Sequence, residues 1–423
     1  MNRDDDREIF SSVRPEMELL VRCVGLHAHE RCSQRIEELL KADLDFDYLV
    51  QLAVQHRVIP LLERGLANGH ARNLPAWFLQ ELRELRWYNT LHSLAMLEEL
   101  LAVLRIFRSH HIRAISYKGP LLAECAYDDP ALRQFFDLDL IVPLQDVPSA
   151  VALLESRGYY VKRELTSPIR TRSLKSDLHP HHEYALSNPT TGVTVELHCL
   201  SGPRAYAYPL NPQTVWKQVE TVRIGEDTLD TLRAEAMALI LCIHGTKHRW
   251  ACLQWLCDVA ALIHSHPDLD WDWILKTAFL SGNERILLHS LLLARQLLGV
   301  RLPPEINAHI HADPHVRRLS VQARNHLFQT GDVSSELVAS ALRYHFETLT
   351  SGKHKTAFVL HKILYSFNQS LTLLMPTEKE RKLAALPEFL TFLYLPLRLA
   401  RLAVKYSSMA LLRRYPSNTV EGF

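Results

Sequence analysis

Residues 113–142 read "RAISYKGPLLAECAYDDPALRQFFDLDLIV", and the order of elements within this stretch decides the fold. "RAISYKG" reads as a strand that stops at a glycine turn. "PLLAECAY" opens with Pro120, which suits the first turn of a helix, and "LDLIV" returns to strand. Downstream, "DVPSAVALLESRG" (146–158) reads as a helix closed by Gly158. "HHEYALSNPTTGVTVELHCL" (181–200) reads as a hairpin of two strands joined through Asn188, Pro189 and Gly192. The order strand, helix, strand, helix, hairpin describes an α/β unit with a small mixed sheet.

On both sides of this unit the apolar residues recur at three and four positions, the period of a helix. Examples are "DYLVQLAVQHRVIPLLERGL" (47–66) before it and "AEAMALILCIHGTKH" (234–248) and "LQWLCDVAALIHS" (253–265) after it. The expected fold class is therefore α+β, mostly α. Its expected divisions are an N-terminal helical region (1–110), an α/β core (111–230) and a C-terminal helical domain (231–423). The last stretch, "PEFLTFLYLPLRLARLAVKYSSMALLRRYP" (387–416), reads as an amphipathic helix with an apolar stripe and a basic flank. We read it as packing on the helical bundle, with a peripheral place on a membrane surface as the competing reading.

Lys plus Arg total 48 against 47 Asp plus Glu. Such a balance gives no global field to draw in long nucleic acid, so an anionic ligand has to be met locally. The seven cysteines include no C-x-x-C pair, which excludes a zinc ribbon and suggests no disulfide framework. "MNRDDDREIF" has no apolar core for a signal peptide, and no run nears the roughly 20 apolar residues of a membrane span. A cytoplasmic protein without a transmembrane segment is the expectation.

The triplet Asp-Leu-Asp occurs at 43–45, 137–139 and 268–270. The first and third copies stand directly before helical patterns, where an Asp side chain can accept hydrogen bonds from first-turn amides; both read as helix caps. The middle copy heads a strand. Alternation there sends Asp137 and Asp139 to one face and Leu138, Leu140 and Val142 to the other. Neighbouring carboxylates repel unless a cation lies between them. Upstream, Lys118 and Gly119 precede a helix N-terminus, where backbone amides can receive a phosphate. Downstream, "VTVELHC" (193–199) puts Thr194, Glu196 and His198 on one strand face. If that strand lies beside Asp137, three carboxylates converge beneath a phosphate-receiving turn, the arrangement required for phosphoryl or nucleotidyl transfer with two metal ions.

"YKGPLLAECAYDDPALRQFFDLDLIV", then "HHEYALSNPTTGVTVELHCL", then "HGTKHRWACLQWLCDVAAL" together resemble the nucleotidyltransferase superfamily of the DNA polymerase β type. Within it they are similar to a bacterial group of uncharacterised nucleotidyltransferases. The resemblance implies that Asp137, Asp139 and Glu196 are catalytic and hold two Mg²⁺ ions, with Glu196 also helping to deprotonate the acceptor. It implies that Gly119 borders a nucleoside triphosphate (NTP) co-substrate and that Lys118 and Arg133 fit positions able to touch phosphate, with a surface salt bridge as the competing reading for either cation. The sequence departs from the superfamily at Pro120, where a small residue with an amide usually follows the glycine.

His179, His181, His182 and His198 lie near the expected site. Adjacent histidines on a strand face opposite ways, which speaks against a shared zinc, and a structural or substrate-facing role fits better. His182 matches a position of the family and is read as substrate-binding. His244 and His248 lie on one helical face, but no Glu follows the first as a zinc protease requires. They are read as lining the substrate cleft, with packing as the competing reading. The expected function is Mg²⁺-dependent transfer of a nucleoside monophosphate from an NTP to a hydroxyl-type acceptor on a small molecule, peptide natural product or protein. The alternative is a non-catalytic nucleotide-binding or scaffold protein that keeps the fold.

Overall fold

The computed structural model describes residues 9–11, 13–25, 30–67, 70, 74–161, 183–199, 212–329, 336–360 and 362–363. The basic C-terminal stretch at 387–416 and His179, His181 and His182 lie outside the described residues. The chain divides into two units, Met1–Lys162 with Ser173–Phe358, and Arg163–Arg172 with Val359–Phe423. Everything below concerns the first.

Four short helices lead in: α1 (Pro15–Val24), α2 (Glu30–Leu39), α3 (Phe46–Gln55) and α4 (Ile59–Ala67). The 34-residue α5 (Ala76–Ser109) follows. The α/β unit then runs β1 (Ile115–Ser116), α6 (Gly119–Ala126), β2 (Asp137–Ile141), α7 (Val147–Ser156), β3 (Tyr160–Val161), β4 (Glu183–Ser187) and β5 (Thr194–His198). After α8 (Pro212–Trp216) comes a second hairpin, β6 (Val219–Ile224) and β7 (Asp227–Leu232). Helices α9 (Ala234–Lys247), α10 (Leu253–Ser265), α11 (Trp271–Ser281), α12 (Glu284–Leu298), α13 (Pro304–Ala312), α14 (Pro314–Phe328) and α15 (Glu336–Thr348) follow.

The fold is α+β and mostly helical, with a five-stranded mixed sheet in the order β1-β2-β5-β4-β3. Strand β2 runs parallel to β5, and β1 pairs antiparallel with β2 over only two residues. The expected hairpin is β4–β5, closed by a turn in which Gly192 takes φ +72° and the Asn188 side chain accepts from the Thr190 amide at 2.9 Å. The β6–β7 hairpin extends the strand region past its expected end: Thr231, expected to open the helical region, lies in β7, and helix resumes at Ala234. Its turn holds Gly225 at φ +60°.

One face of the sheet is apolar. Leu138, Leu140 and Val142 with Val195 and Leu197 pack with Met96, Leu100, Val103 and Phe107 of α5 and with Val147, Val151 and Leu154 of α7. Burying each such side chain is worth about 1.5–3 kcal/mol, which fixes the register, because a one-residue slip would turn these residues toward the polar face. A larger cluster joins α1–α4 and the start of α5 to α9–α14. The first and third stretches of the chain thus share a core.

The flanking Asp-Leu-Asp copies are helix caps. Asp45 accepts from the Tyr48 amide at 2.9 Å to open α3, and Asp270 accepts from the Trp273 amide at 2.9 Å to open α11. All seven cysteines are free thiols. Among the described residues no helix is long and apolar enough to cross a membrane. Replacing Asp270 by Ala removes its cap and is expected to lower stability by about 1 kcal/mol in chemical denaturation.

Two fully buried histidines tie the helical layers. His56 Nδ1 accepts from the Leu253 amide at 3.3 Å. His289 Nδ1 faces the Arg285 carbonyl at 2.6 Å, which assigns the hydrogen to Nδ1 and leaves the single Nε2 lone pair to accept, with the Tyr344 hydroxyl nearest at 2.9 Å. Burial lowers both pKa values from 6.5 to about 4. Between pH 6.5 and 4 the unfolded chain binds protons at these residues and the native chain does not. Stability from this source is complete above pH 6.5 and falls as the pH drops through the window, by about 1.4 kcal/mol per unit for each residue. Denaturant titrations of wild type and His289→Gln across pH 4–7 test this: the variant should have the shallower slope.

Candidate active site

The pairing of β2 with β5 builds the site. Asp137 lies opposite Thr194, Asp139 opposite Glu196 and Ile141 opposite His198. Because side chains alternate, Asp139, Glu196 and His198 share the face away from the α5–α7 layer. Each can offer one ligand atom such that all three atoms lie within 4.8 Å of one another. His198 Nε2 is 2.8 Å from Asp139 Oδ1 and 3.7 Å from Glu196 Oε2, and the His198 ring packs edge-on to Tyr117.

Lys118, the residue before α6, reaches over this cluster. Its ammonium donates to Asp139 Oδ1 at 3.4 Å and to His244 Nδ1 at 3.2 Å. Burial alone would raise the Asp139 carboxyl, but Lys118 and the His198 hydrogen bond outweigh it and hold the group well below the usual carboxylate range. Asp137 moves the other way. Its burial and the neighbouring Asp139 charge raise it, against Lys118, Arg133 and Arg57. Burial and the Lys118 charge push His244 well below its ordinary value, so it is neutral and can accept from Lys118.

Gly119 makes the turn possible. It sits at φ +53°, and a Cβ there would lie 3.2 Å from the Asp137 carbonyl oxygen. Pro120 follows in the first turn of α6 and contributes no amide. On the opposite wall, His244 and His248 meet Trp255 at ring centroid distances of 5.2 and 5.0 Å. Gly245 permits this corner: the Trp250 indole fills the space a Cβ would take, 2.4 Å away. Arg249 and Trp250, both at positive φ, turn α9 into α10.

Arg133 is also in the site wall, held by a buried ion pair. Its Nε and one terminal nitrogen grip Asp258 of α10 at 2.8 and 3.0 Å, and the other terminal nitrogen donates to the Gly119 carbonyl at 3.1 Å. Tyr127 and Gln254 also donate to Asp258, at 2.7 and 3.0 Å. Burial opposes the Arg133 charge but Asp258 prevails, and burial with Asp258 drives the Tyr127 phenol well up, so it stays a donor. Breaking a buried pair of this kind costs roughly 3–5 kcal/mol.

The structure thus brings together Lys118, Gly119, Asp139, Glu196 and His244, sets Asp137 beside them in the same electrostatic field, and sets His248 on the wall behind. The Arg133 guanidinium faces Asp258 and the Gly119 carbonyl. One participant, Asp258, was not singled out from sequence, and another has a different role from the one expected. His198, expected in a structural or substrate-facing role, joins the carboxylates, and its place beside Glu196 in the strand alternation was the available signal. Asp258 was signalled by its position as a carboxylate within the apolar "LQWLCDVAALIHS", which a buried helix face cannot hold unpaired.

Residues 42–299 match the family described as "Uncharacterised nucleotidyltransferase", a span that contains the whole sheet and every residue of the site above. The chain belongs to that family. It is a transferase of the nucleotidyl class, and the largely buried Asp, Glu and His cluster on its sheet, with Glu196 the more exposed member, is compatible with binding a metal ion. No curated protein and no solved structure matches it. For this nucleotidyltransferase, Gly119→Ala should strain the turn by roughly 1–2 kcal/mol and press on the Asp137 carbonyl. The expected result is a lower thermal midpoint, and an unchanged midpoint would mean that the turn can shift.

Proposed function

We propose that the protein transfers a nucleoside monophosphate from an NTP to a hydroxyl-type acceptor with the help of Mg²⁺, as in nucleotidyltransferases of the DNA polymerase β type. The observation that carries this is the in-register pair Asp139 and Glu196 on adjacent parallel strands, beside Lys118 and the Gly119 turn. The donor set suits a hard divalent cation: carboxylate oxygens dominate it, and the site already stabilises the Lys118 ammonium next to Asp139. Asp137, Asp139 and Glu196 would hold two Mg²⁺ ions, which supply charge neutralisation for the phosphates and the departing pyrophosphate. His198, hydrogen-bonded to Asp139, would orient that carboxylate.

The protein groups do the rest. Gly119 leaves room for phosphate to approach the backbone, and Lys118 offsets its charge. Glu196, the most exposed of the cluster at 31 %, takes the acceptor's proton. The acceptor oxygen then bonds to the α-phosphorus as the bond to the β-phosphate oxygen breaks, releasing pyrophosphate. His244 and His248 line the substrate cleft, and His182 is assigned to substrate binding from its motif. The near-neutral chain favours a small molecule, a peptide natural product or a protein side chain over long nucleic acid. Pro120 supports a second reading, a nucleotide-binding scaffold without turnover, because it removes an amide from the phosphate turn.

Thermal stabilisation by each of the four common triphosphates, with and without Mg²⁺, tests the assignment. A ligand at 100 times its dissociation constant should add about 2.7 kcal/mol. The gain should vanish in Asp137→Ala/Asp139→Ala and in the gentler Asp139→Asn. Equal responses of wild type and variants would refute the site. Binding without pyrophosphate release on any acceptor would favour the scaffold.

A further inference from the structure

The β1 strand is held to β2 by only two residue pairs, Ile115 with Ile141 and Ser116 with Leu140. Such a short ladder is a weak anchor for the turn that follows, yet the turn has to stay in place over Asp137 and Asp139. The second anchor comes from α10. Arg133, on the segment entering β2, donates to the Gly119 carbonyl at 3.1 Å while Asp258 grips it from the far side. Tyr127, which ends α6, donates to the same Asp258 at 2.7 Å. Gln254, one turn before Asp258, donates to both the Tyr127 hydroxyl and the Asp258 carboxylate. Both ends of α6 are therefore tied to one carboxylate, the N-terminal end through Arg133 and the C-terminal end through Tyr127.

We infer that Asp258 is a positioning residue: acting through Arg133, it fixes the Gly119 turn over the strand carboxylates. This role rests on the nucleotidyl-transfer reading above and deepens it. A fully buried carboxylate holds the Arg133 guanidinium, so its charge acts on the site from a fixed place. Stability does not explain the choice of residues, because well-packed apolar side chains can hold helices together as firmly as a buried ion pair. The ion pair adds a directed hydrogen bond on the glycine carbonyl, which an apolar pair cannot supply.

The test combines Asp258→Leu with Arg133→Met, an apolar replacement of both partners. Three properties are measured: the thermal midpoint, amide hydrogen exchange across residues 117–126 without ligand, and affinity for each Mg²⁺–triphosphate. The midpoint should fall, because the Tyr127 hydroxyl and the Gln254 amide lose their acceptor, so exchange at 117–126 is judged against that of the whole chain. Exchange at 117–126 should rise, and triphosphate affinity should fall, by roughly tenfold or more, the scale on which outer-shell supports act. Arg133→Lys, which keeps the charge but not the fork, should fall between. Wild-type exchange and affinity in the double variant would overturn the inference, as would exchange that rises evenly along the chain with a falling midpoint. If the double variant does not fold, Asp258→Asn takes its place, with local exchange at 117–126 exceeding its global destabilisation as the supporting result and no excess as the refuting one. A wild type that binds no triphosphate would count against the function alone, and the exchange measurement would still decide the role of Asp258.

Discussion

Carboxylates gathered on a largely buried strand face repel one another and lose hydration, and the site is organised around that constraint. Parallel pairing of β2 with β5 forces Asp139 and Glu196 into one register position. The fold answers with Lys118 from the turn and His198 from β5 itself. The result is a split: Asp139 is held as an anion while Asp137 is raised beside it. Such a cluster is compatible with binding a metal ion, which links the sheet register to the chemistry of the family.

The helical regions serve this arrangement from two sides. The α5 and α7 layer buries the apolar face of the sheet and so determines which face carries the carboxylates. Helices α9 and α10 close over the polar face, supplying His244 against Lys118 and Asp258 against Arg133. The corner between them depends on Gly245, which lets the Trp250 indole pack against α9. The motif "HGTKHRW" thus combines two jobs, a tight helix corner and the wall of the site.

Much of this was legible in the residues. The change of period from helix to strand near residue 112, the glycine turn at Gly119 and the hairpin at 183–198 all follow from local chemistry, as does the separation of the central Asp-Leu-Asp from its two capping copies. Other features were not legible because they depend on distant partners. The β6–β7 hairpin carries its Gly225 turn in the sequence, but its mixed polar strands give little apolar alternation. The role of His198 required knowing that β5 lies beside β2, and that of Asp258 which element its helix face meets.

The sequence by itself determined the kinds of element, the polar strand face bearing Asp137, Asp139 and Glu196, and the need for a residue without a side chain at position 119, because alternation, capping and backbone sterics act over a few residues. Tertiary structure alone decided that β5 lies parallel beside β2, that His198 joins the carboxylates, and that Arg133 turns to Asp258. These depend on long-range packing and on the cost of leaving a buried charge without a partner, and neither is written in any local pattern.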